Sequence, residues 1–176
     1  MSLDSATIAE KLGVPSQHVE TLWPLIVAAL VEFGIDSPLV QVAAAATCAV
    51  ETGRFWPLQE IHASQERQPD LWATQERYWP SGYYGRGIVM TTWQENYQAL
   101  QDATGIPCVE QPDLLLEPEH AARALAFFFK THRDGEIVVR ANNQDWPGVR
   151  RGVNGGTYAL EQFLKDVDAL VGAANG

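Results

Sequence analysis

Two carboxylates lie nine residues apart in a stretch that follows a long apolar run of the chain. Glu51 ends the alanine-rich run, and Glu60 lies in a segment rich in aromatic residues and turn formers. Glycoside hydrolysis uses such a pair: one carboxyl protonates the leaving oxygen, and the other acts on the opposite face of the sugar. The ordinary alternative is that Glu51 is the first exposed residue after a buried helix and that Glu60 is a solvated loop residue.

The position of Glu51 favours the role of the acid. Glu51 would lie at the C-terminal end of an apolar helix, where desolvation and the negative end of the helix dipole disfavour the ionised form. Gly53 lets the chain turn away at that point, so that the side chain can face a cleft. These surroundings are what a general acid requires.

Other chemistries find little support in the sequence. The four histidines lack the spacing of a metal site, and we expect neither a metal nor another cofactor. His62 is a candidate for proton transfer, although a lone loop histidine is more often neither ligand nor catalyst. There is no nucleophile-elbow motif for a serine hydrolase. The run Gly85-Arg86-Gly87 is too short to be a phosphate-binding loop. The residues after it also lack the strand-to-helix turn and the spacing that such a loop requires.

Helical periodicity runs through most of the chain, so the elements that position the two acids should be helices. It predicts helices over residues 4–12, from Ser16 to Gly34, and from Pro38 to about Glu51. The third is apolar on nearly all sides and should be buried at the centre. Later helices are predicted over residues 69–77, 93–103, 118–131, 136–141, 145–154 and 157–171.

The fold class predicted from this pattern is mostly α, with at most a small β element. The segment from Tyr78 to Gly87 is dense in glycine, proline and aromatic residues, and it predicts an ordered loop with a small hairpin. A long loop inside a compact domain is usually functional or disordered, and the aromatic content argues against disorder. Residues 137–139 would also suit a strand.

Composition indicates one soluble globular domain. A chain of 176 residues that is 46% hydrophobic can bury a sizeable core, and two cysteines are too few for a disulfide framework. The net charge of −10 argues against a nucleic-acid partner, because phosphates require clustered Lys and Arg. The longest apolar run, 39–50, is too short to span a membrane. No signal-peptide pattern opens the chain, so we expect a cytoplasmic product.

A series of short motifs follows the two acids. In order along the chain they are Val50-Glu51-Thr52-Gly53 with Phe55, Leu58-Gln59-Glu60, Tyr84-Gly85-Arg86-Gly87, Thr92 with Asn96-Tyr97, Gln111-Pro112-Asp113-Leu114-Leu115, Ala121-Ala122-Arg123, Phe127-Phe128-Phe129 and Val149-Arg150-Arg151-Gly152-Val153-Asn154-Gly155-Gly156. Each motif is weak by itself. In this order, over roughly residues 38–160, they resemble glycoside hydrolase family 19, which comprises chitinases and related phage endolysins of the lysozyme-like superfamily.

The resemblance implies a two-lobed, lysozyme-like helical domain with a groove between its lobes. We expect one catalytic domain over residues 1–176, with N-terminal helices at 1–35 and a catalytic core at 36–172. Glu51 matches the general acid of the family, and Glu60 matches the second acid of the endolysin branch. Glu76 is the reserve candidate, because plant-type chitinases carry their second acid in a longer insertion. Thr92 falls where a Ser or Thr helps to hold the catalytic water.

Further positions match residues that contact sugar in the family. Asn96 and Asn154 match hydrogen-bonding positions, and Tyr84 and Glu76 are additional candidates for substrate contact. Arg86 is expected to support the loop instead.

Two positions depart from the family pattern. Position 50 is Val, where many members have His. Met90 replaces a Gln that contacts sugar, and Met can neither donate nor accept a strong hydrogen bond.

The function that follows from the resemblance is endolysin-type hydrolysis of β-1,4 bonds in the glycan strands of bacterial peptidoglycan, of the muramidase or glucosaminidase type. Inversion would place the two carboxyls about 6.5–9.5 Å apart. Such a protein would act as a monomer and would reach the wall from the cytoplasm through a membrane lesion made by a separate holin-like protein. A chitinase is one alternative. A non-catalytic sugar-binding module, which Met90 favours, is the other.

Overall fold

Helices form most of the computed structural model, which describes residues 3–174. The nine longer helices within this range are α1 Ser5–Leu12, α2 Ser16–Glu32, α3 Pro38–Thr52, α4 Pro69–Gln75, α5 Gln94–Thr104, α6 Pro118–Thr131, α7 Glu136–Asn142, α8 Trp146–Asn154 and α9 Leu160–Ala174. Short 3₁₀ turns occupy Trp79–Ser81, Pro112–Leu116 and His132–Gly135. The predicted helices are confirmed, and residues 137–139 belong to a helix and not to a strand. No helix between residues 3 and 174 is both long and apolar enough to cross a bilayer.

Helix α3 is the buried central helix that its composition predicts. The Ser37 hydroxyl caps it by accepting a hydrogen bond from the Val40 N–H at 3.3 Å, and Pro38 occupies its first turn. Every residue from 40 to 49 is buried. The helix ends at Gly53, which has a φ of 65°. Glycine adopts this left-handed conformation at little energetic cost. This stop places Glu51 in the last turn, beyond the fully buried part.

The β element consists of two short strands, as the mostly α prediction allows, but the hairpin predicted within residues 78–87 is not formed, because Arg86–Gly87 pairs with a strand earlier in the chain. Strand β1 (Leu58–Gln59) pairs antiparallel with β2 (Arg86–Gly87), with Leu58 opposite Gly87 and Gln59 opposite Arg86. The Glu60 N–H extends this pairing by donating to the Gly85 carbonyl at 2.8 Å. The pairing therefore fixes the segment that carries Glu60 beside the Gly-Arg-Gly motif.

Two apolar cores give the molecule its two lobes. The larger core combines α1, α2, α3 and α6 to α9. The smaller core gathers side chains from α5, α6 and the segment between them, namely Tyr97, Leu100, Ile106, Cys108, Leu115 and Ala124. Helix α6 contributes to both and so joins the lobes. Helices α1 and α2 pack against α9 and α6 within the larger core. The division at residue 35 stays a prediction.

Asp166 is an acid placed at an unfavourable site in α9. Its side chain is 6% exposed, accepts a hydrogen bond from Gln162 Nε2 at 2.7 Å, and borders a cavity of about 270 Å³ near the C-terminal ends of α1 and α3. Burial raises the pKa of Asp166, although Gln162 and Lys165 act in the opposite direction. Because the folded state holds this proton more tightly than the unfolded state, ionisation of Asp166 costs stability once the pH exceeds the unfolded pKa.

We therefore expect Asp166→Asn to stabilise the protein at neutral pH by about 1 kcal/mol, which corresponds to roughly 2–4 °C in Tm for a chain of this size. The gain should vanish below about pH 3.5, where the Asp166 carboxyl of the wild type is protonated in both the folded and the unfolded state. Thermal melts between pH 3 and pH 8 measure this. Asp168→Asn, at an exposed site on the same helix, is the matched control. A gain that is equal at both ends of the pH range would contradict the expectation.

Candidate active site

Glu51 contacts a buried cation at one wall of the site. Arg150 in α8 donates from Nη1 to Glu51 Oε1, and Arg150 Nε donates to the Tyr158 carbonyl at 2.9 Å. The Arg150 side chain is 1% exposed, whereas the Glu51 side chain is 19% exposed. Glu51 is therefore oriented through one carboxylate oxygen, while part of the side chain still reaches the surface. Among residues 3–174, Oε2 of Glu51 has no hydrogen-bond partner.

Arg150 is a partner of Glu51 that the sequence did not point to. The sequence predicted an apolar helix end around Glu51, and the structure adds a buried guanidinium beside its carboxylate. Arg150 lies in the motif that runs to Asn154, but the sequence does not pair it with Glu51. Its burial, which calls for an acid partner, is visible only in the structure.

Glu60 is held by a different set of groups. Its Oε1 accepts hydrogen bonds from the Tyr78 hydroxyl at 2.6 Å and from Gln75 Nε2 at 2.8 Å. Its Oε2 accepts from the Gly85 N–H at 2.9 Å. Glu60 is half-buried and does not point into bulk solvent. Its carboxyl shares no hydrogen-bond partner with Glu51 within residues 3–174, so each acid is fixed independently.

Gly85 lets Glu60 approach the following loop. A Cβ at this position would lie 3.1 Å from Glu60 Oε2 and 3.3 Å from the Met90 Cβ. Any other residue would therefore push on both neighbours. Because Gly85 has no side chain, Glu60 and Met90 can both pack directly against its backbone.

Arg86 supports the loop, as expected. It is 4% exposed, and it donates to Asp113 Oδ1 at 2.8 Å, to the Gly82 carbonyl at 2.9 Å and to the Tyr97 hydroxyl at 3.1 Å. Burial raises the pKa of Tyr97 to about 12, although Arg86 acts in the opposite direction. The phenol therefore stays protonated and donates to the Tyr84 carbonyl at 2.8 Å.

The aromatic rings of the loop form a stack that begins at Arg86. The guanidinium lies 3.9 Å from the centre of the Tyr84 ring, Trp79 stacks on the other face of Tyr84 at 4.2 Å, and His62 stacks on Trp79 at 4.2 Å. His62 Nε2 is 3.0 Å from the exposed Glu76 carboxylate. Both faces of the Tyr84 ring are therefore covered, by Arg86 and by Trp79. Glu76 is engaged at the surface, which favours Glu60 as the second acid.

Thr92, Asn96 and Met90 lie together at one end of a cavity of about 550 Å³. The Thr92 hydroxyl donates to the Met90 carbonyl at 2.8 Å, so its oxygen keeps lone pairs that can accept from water or sugar. Asn96 Nδ2 donates to the Thr92 carbonyl at 2.7 Å. The cavity continues between α5 and α6 past Phe127, Phe128, His132 and Arg133. Neither acid lines this cavity.

Asn154 lies apart from this group, at the end of α8. Its side chain is exposed, and Oδ1 accepts from the Gly156 N–H at 3.0 Å. Four residues separate it from Arg150, so the two occupy the same face of α8. The predicted site residues thus fall into three places: Glu51 with Arg150 and the α8 face, Glu60 with the Gly85 loop, and Thr92 with Asn96.

The backbone around Thr92 is in unusual conformations. Met90 has a φ of 50° and Trp93 a φ of 73°, although neither is glycine. Such conformations carry strain and concentrate at functional sites. Between residues 3 and 174, no group of three or more His, Cys, Asp or Glu side chains is arranged to hold a metal ion.

Comparisons with known proteins bear on this arrangement. No family model matches the chain. Two endochitinases of Arabidopsis thaliana are 30% and 28% identical to it over 107 and 106 residues, which is 60% of this chain in each case. These matches cover 39% and 37% of the endochitinases, so the chain spans less than two fifths of the length of these relatives.

Among solved structures, chitinase C from Streptomyces griseus HUT6037 superposes with a TM-score of 0.66 at 21% identity, over 95% of this chain and 76% of that one. A point mutant of chitinase C gives a TM-score of 0.65 at 19% identity. At these identities the likeness shows the fold. Together, the relatives and the shared mostly α, lysozyme-like fold confirm that this chain resembles glycoside hydrolase family 19.

Proposed function

We propose that this protein is a glycoside hydrolase that cleaves β-1,4 bonds in the glycan strands of bacterial peptidoglycan and inverts the anomeric centre. The observation that carries the proposal is the network around Glu60. A half-buried loop carboxylate held by three donors, 2.6 to 2.9 Å away, supports a chemical role for Glu60, because a merely solvated carboxylate has no such fixed partners. Glu51, fixed separately by Arg150, is the second carboxyl that the reaction needs.

Glu51 is proposed to act as the general acid through Oε2. Arg150 occupies Oε1 and orients the carboxyl, while Oε2 is free to carry a proton toward the leaving oxygen. As the general acid, Glu51 has to carry a proton on Oε2 when sugar is bound and water has left the groove. That proton passes to the glycosidic oxygen as the bond to the anomeric carbon breaks.

Glu60 is proposed to act as the general base. Its Oε2 accepts one hydrogen bond, from Gly85, and so keeps a lone pair for the proton of an attacking water. Thr92 would help to hold that water through its hydroxyl oxygen. The water oxygen bonds to the anomeric carbon on the face opposite the leaving group, and its proton passes to Glu60. Inversion requires the carboxyls to be about 6.5–9.5 Å apart.

The preference for peptidoglycan over chitin is supported by two features. Glu60 follows Glu51 by only nine positions, as in the endolysin branch of the family. The cavity of about 550 Å³ beside Thr92 also offers room for the peptide substituents that peptidoglycan carries and chitin lacks. As an endolysin, the protein would act as a monomer and reach the wall from the cytoplasm after a separate holin-like protein opens the membrane.

Two other functions have an observation in their favour. The plant relatives are named endochitinases, which favours chitin as substrate. Met90, a poor hydrogen-bonding residue beside Thr92, favours a sugar-binding module without turnover. Clearing of a suspension of purified cell wall, a pull-down on the same wall and an assay on soluble chitin oligomers separate the three. Wall clearing without chitin cleavage supports the proposal. Cleavage of chitin alone, or binding without clearing, overturns it.

Met90→Gln should improve the use of substrate if this position contacts sugar. One added hydrogen bond contributes about 0.5–1.5 kcal/mol, so KM should fall by roughly two- to tenfold, with kcat changing little. Steady-state kinetics on soluble wall fragments measure this. Met90→Leu keeps the apolar character of the side chain and serves as the control. Equal KM values for the two variants would show that position 90 does not contact the glycan.

A further inference from the structure

Gln75 is a buried polar side chain whose hydrogen bonds all go to the segment that carries Glu60. It is 1% exposed at the end of α4. Its Nε2 donates to Glu60 Oε1 at 2.8 Å and to the Ile61 carbonyl at 2.9 Å, and its Oε1 accepts from the Ala63 N–H at 2.6 Å. Since the Ala63 N–H can only donate, the amide cannot be reversed, and its nitrogen has to face Glu60.

Tyr78 is the second donor to the same oxygen. Its side chain is buried, and its hydroxyl donates to Glu60 Oε1 at 2.6 Å. Burial, followed by the hydrogen bond to Glu60 and the charge of Glu60, raises the pKa of Tyr78 far above its usual value. The phenol therefore stays protonated, and stays a donor, at neutral pH.

The two oxygens of Glu60 are thus unequal. Oε1 accepts two fixed hydrogen bonds and Oε2 accepts one. A proton on Oε1 would displace one of these two hydrogen bonds, so the arrangement leaves the free lone pair on Oε2. We infer that Gln75 and Tyr78 are positioning residues that hold Glu60 as a carboxylate and leave Oε2 to accept the proton of water. This inference rests on the proposed role of Glu60 as the base.

Charged groups on the neighbouring elements are engaged elsewhere. His62 pairs with Glu76, Arg86 pairs with Asp113, and the Arg77 guanidinium lies 6.0 Å from the Trp93 ring. Within residues 3–174, Tyr78 is the titratable side chain that donates to the Glu60 carboxyl. Changes in how Glu60 titrates can therefore be assigned to its two side-chain donors.

Tyr78→Phe tests the inference with little change in shape. Loss of a hydrogen bond to a charged acceptor should move the acidic limb of the kcat profile upward by about one pH unit. It should lower kcat near neutral pH by roughly tenfold, with KM nearly unchanged. Gln75→Glu keeps an acceptor for the Ala63 N–H but replaces the donor by a second carboxyl, so the limb should move further in the same direction.

Tyr83→Phe is the matched control, because it removes a tyrosine hydroxyl that donates to the Val109 carbonyl at 3.1 Å and not to an acid. Its pH profile should equal that of the wild type. An unchanged acidic limb in Tyr78→Phe, or the same change in Tyr83→Phe, overturns the inference. Circular dichroism and thermal melts confirm that each variant is folded.

A carbon-13 NMR titration of the Glu60 side-chain carboxyl gives a readout that does not depend on turnover. The titration midpoint should be higher in Tyr78→Phe than in the wild type. If the wild type hydrolyses wall and the midpoint does not move, the inference fails while the proposed function stands. If the midpoint moves but the wild type and Glu60→Gln are both inactive on wall and on chitin, the proposed function fails, and with it the role of Glu60 as a base.

Discussion

Replacement of Glu51 by glutamine is expected to lower kcat on purified cell wall by about 10³-fold, which is within the range that a general acid contributes. The glutamine oxygen can still accept the hydrogen bond from Arg150. The side chain can no longer donate a proton to the leaving oxygen, so the loss should appear in kcat and not in KM. Initial rates of release of reducing ends measure it.

The same substitution should also cost stability. Arg150 is 1% exposed, and a neutral glutamine leaves its charge without a balancing carboxylate. We expect the free energy of unfolding to fall by about 1–3 kcal/mol, since the hydrogen bond survives but the ion pair does not. Denaturant unfolding measures this. Glu66→Gln, at an exposed site, should change neither activity nor stability. Retention of lytic activity by Glu51→Gln would refute the role of Glu51 as acid.

Replacement of Arg150 by methionine should have the largest effect on stability. It leaves the Glu51 carboxylate in a mostly buried position and removes the hydrogen bond to the Tyr158 carbonyl. Breaking one side of a buried pair costs about 3–5 kcal/mol. Chemical denaturation followed by circular dichroism gives the value. The adjacent Arg151 is exposed, so Arg151→Met should stay within about 0.5 kcal/mol of the wild type.

A double variant separates the contribution of the Glu51–Arg150 ion pair to stability from the other losses caused by Arg150→Met. If Arg150→Met destabilises because Glu51 is left charged, adding Glu51→Gln should restore about 1–3 kcal/mol of the loss. Strict additivity of the two substitutions would show that the carboxylate and the guanidinium are not energetically coupled. If Arg150→Met is as stable as Arg151→Met, the Glu51–Arg150 ion pair does not stabilise the fold.

The helices could be predicted because their signals are local. Capping by Ser37, the proline that follows it and the glycine at position 53 delimit α3 in the sequence itself. The apolar run between them sets its burial. The short strand pair was anticipated only as a small β element, because a register of two residues leaves no periodic pattern to count.

The partners of the acids could not be predicted because they are not local. Arg150 lies 99 residues from Glu51 along the chain, and the contact depends on how α8 packs against α3. Gln75 lies in the helix predicted over residues 69–77, and only the packing of α4 shows that its side chain is buried against Glu60. Trp79 lies in the aromatic loop predicted over residues 78–87, and only the packing shows that it stacks between the rings of His62 and Tyr84.

Mass spectrometry of cell-wall digests tests the central claim most directly. Incubation of purified peptidoglycan with the wild-type protein should release fragments in which each new end is a reducing sugar formed by addition of water. Glu51→Gln and Glu60→Gln, tested in parallel, should leave the wall intact. An uncut wall after incubation with folded wild-type protein, or anhydro ends formed without water, would contradict hydrolysis by Glu51 and Glu60.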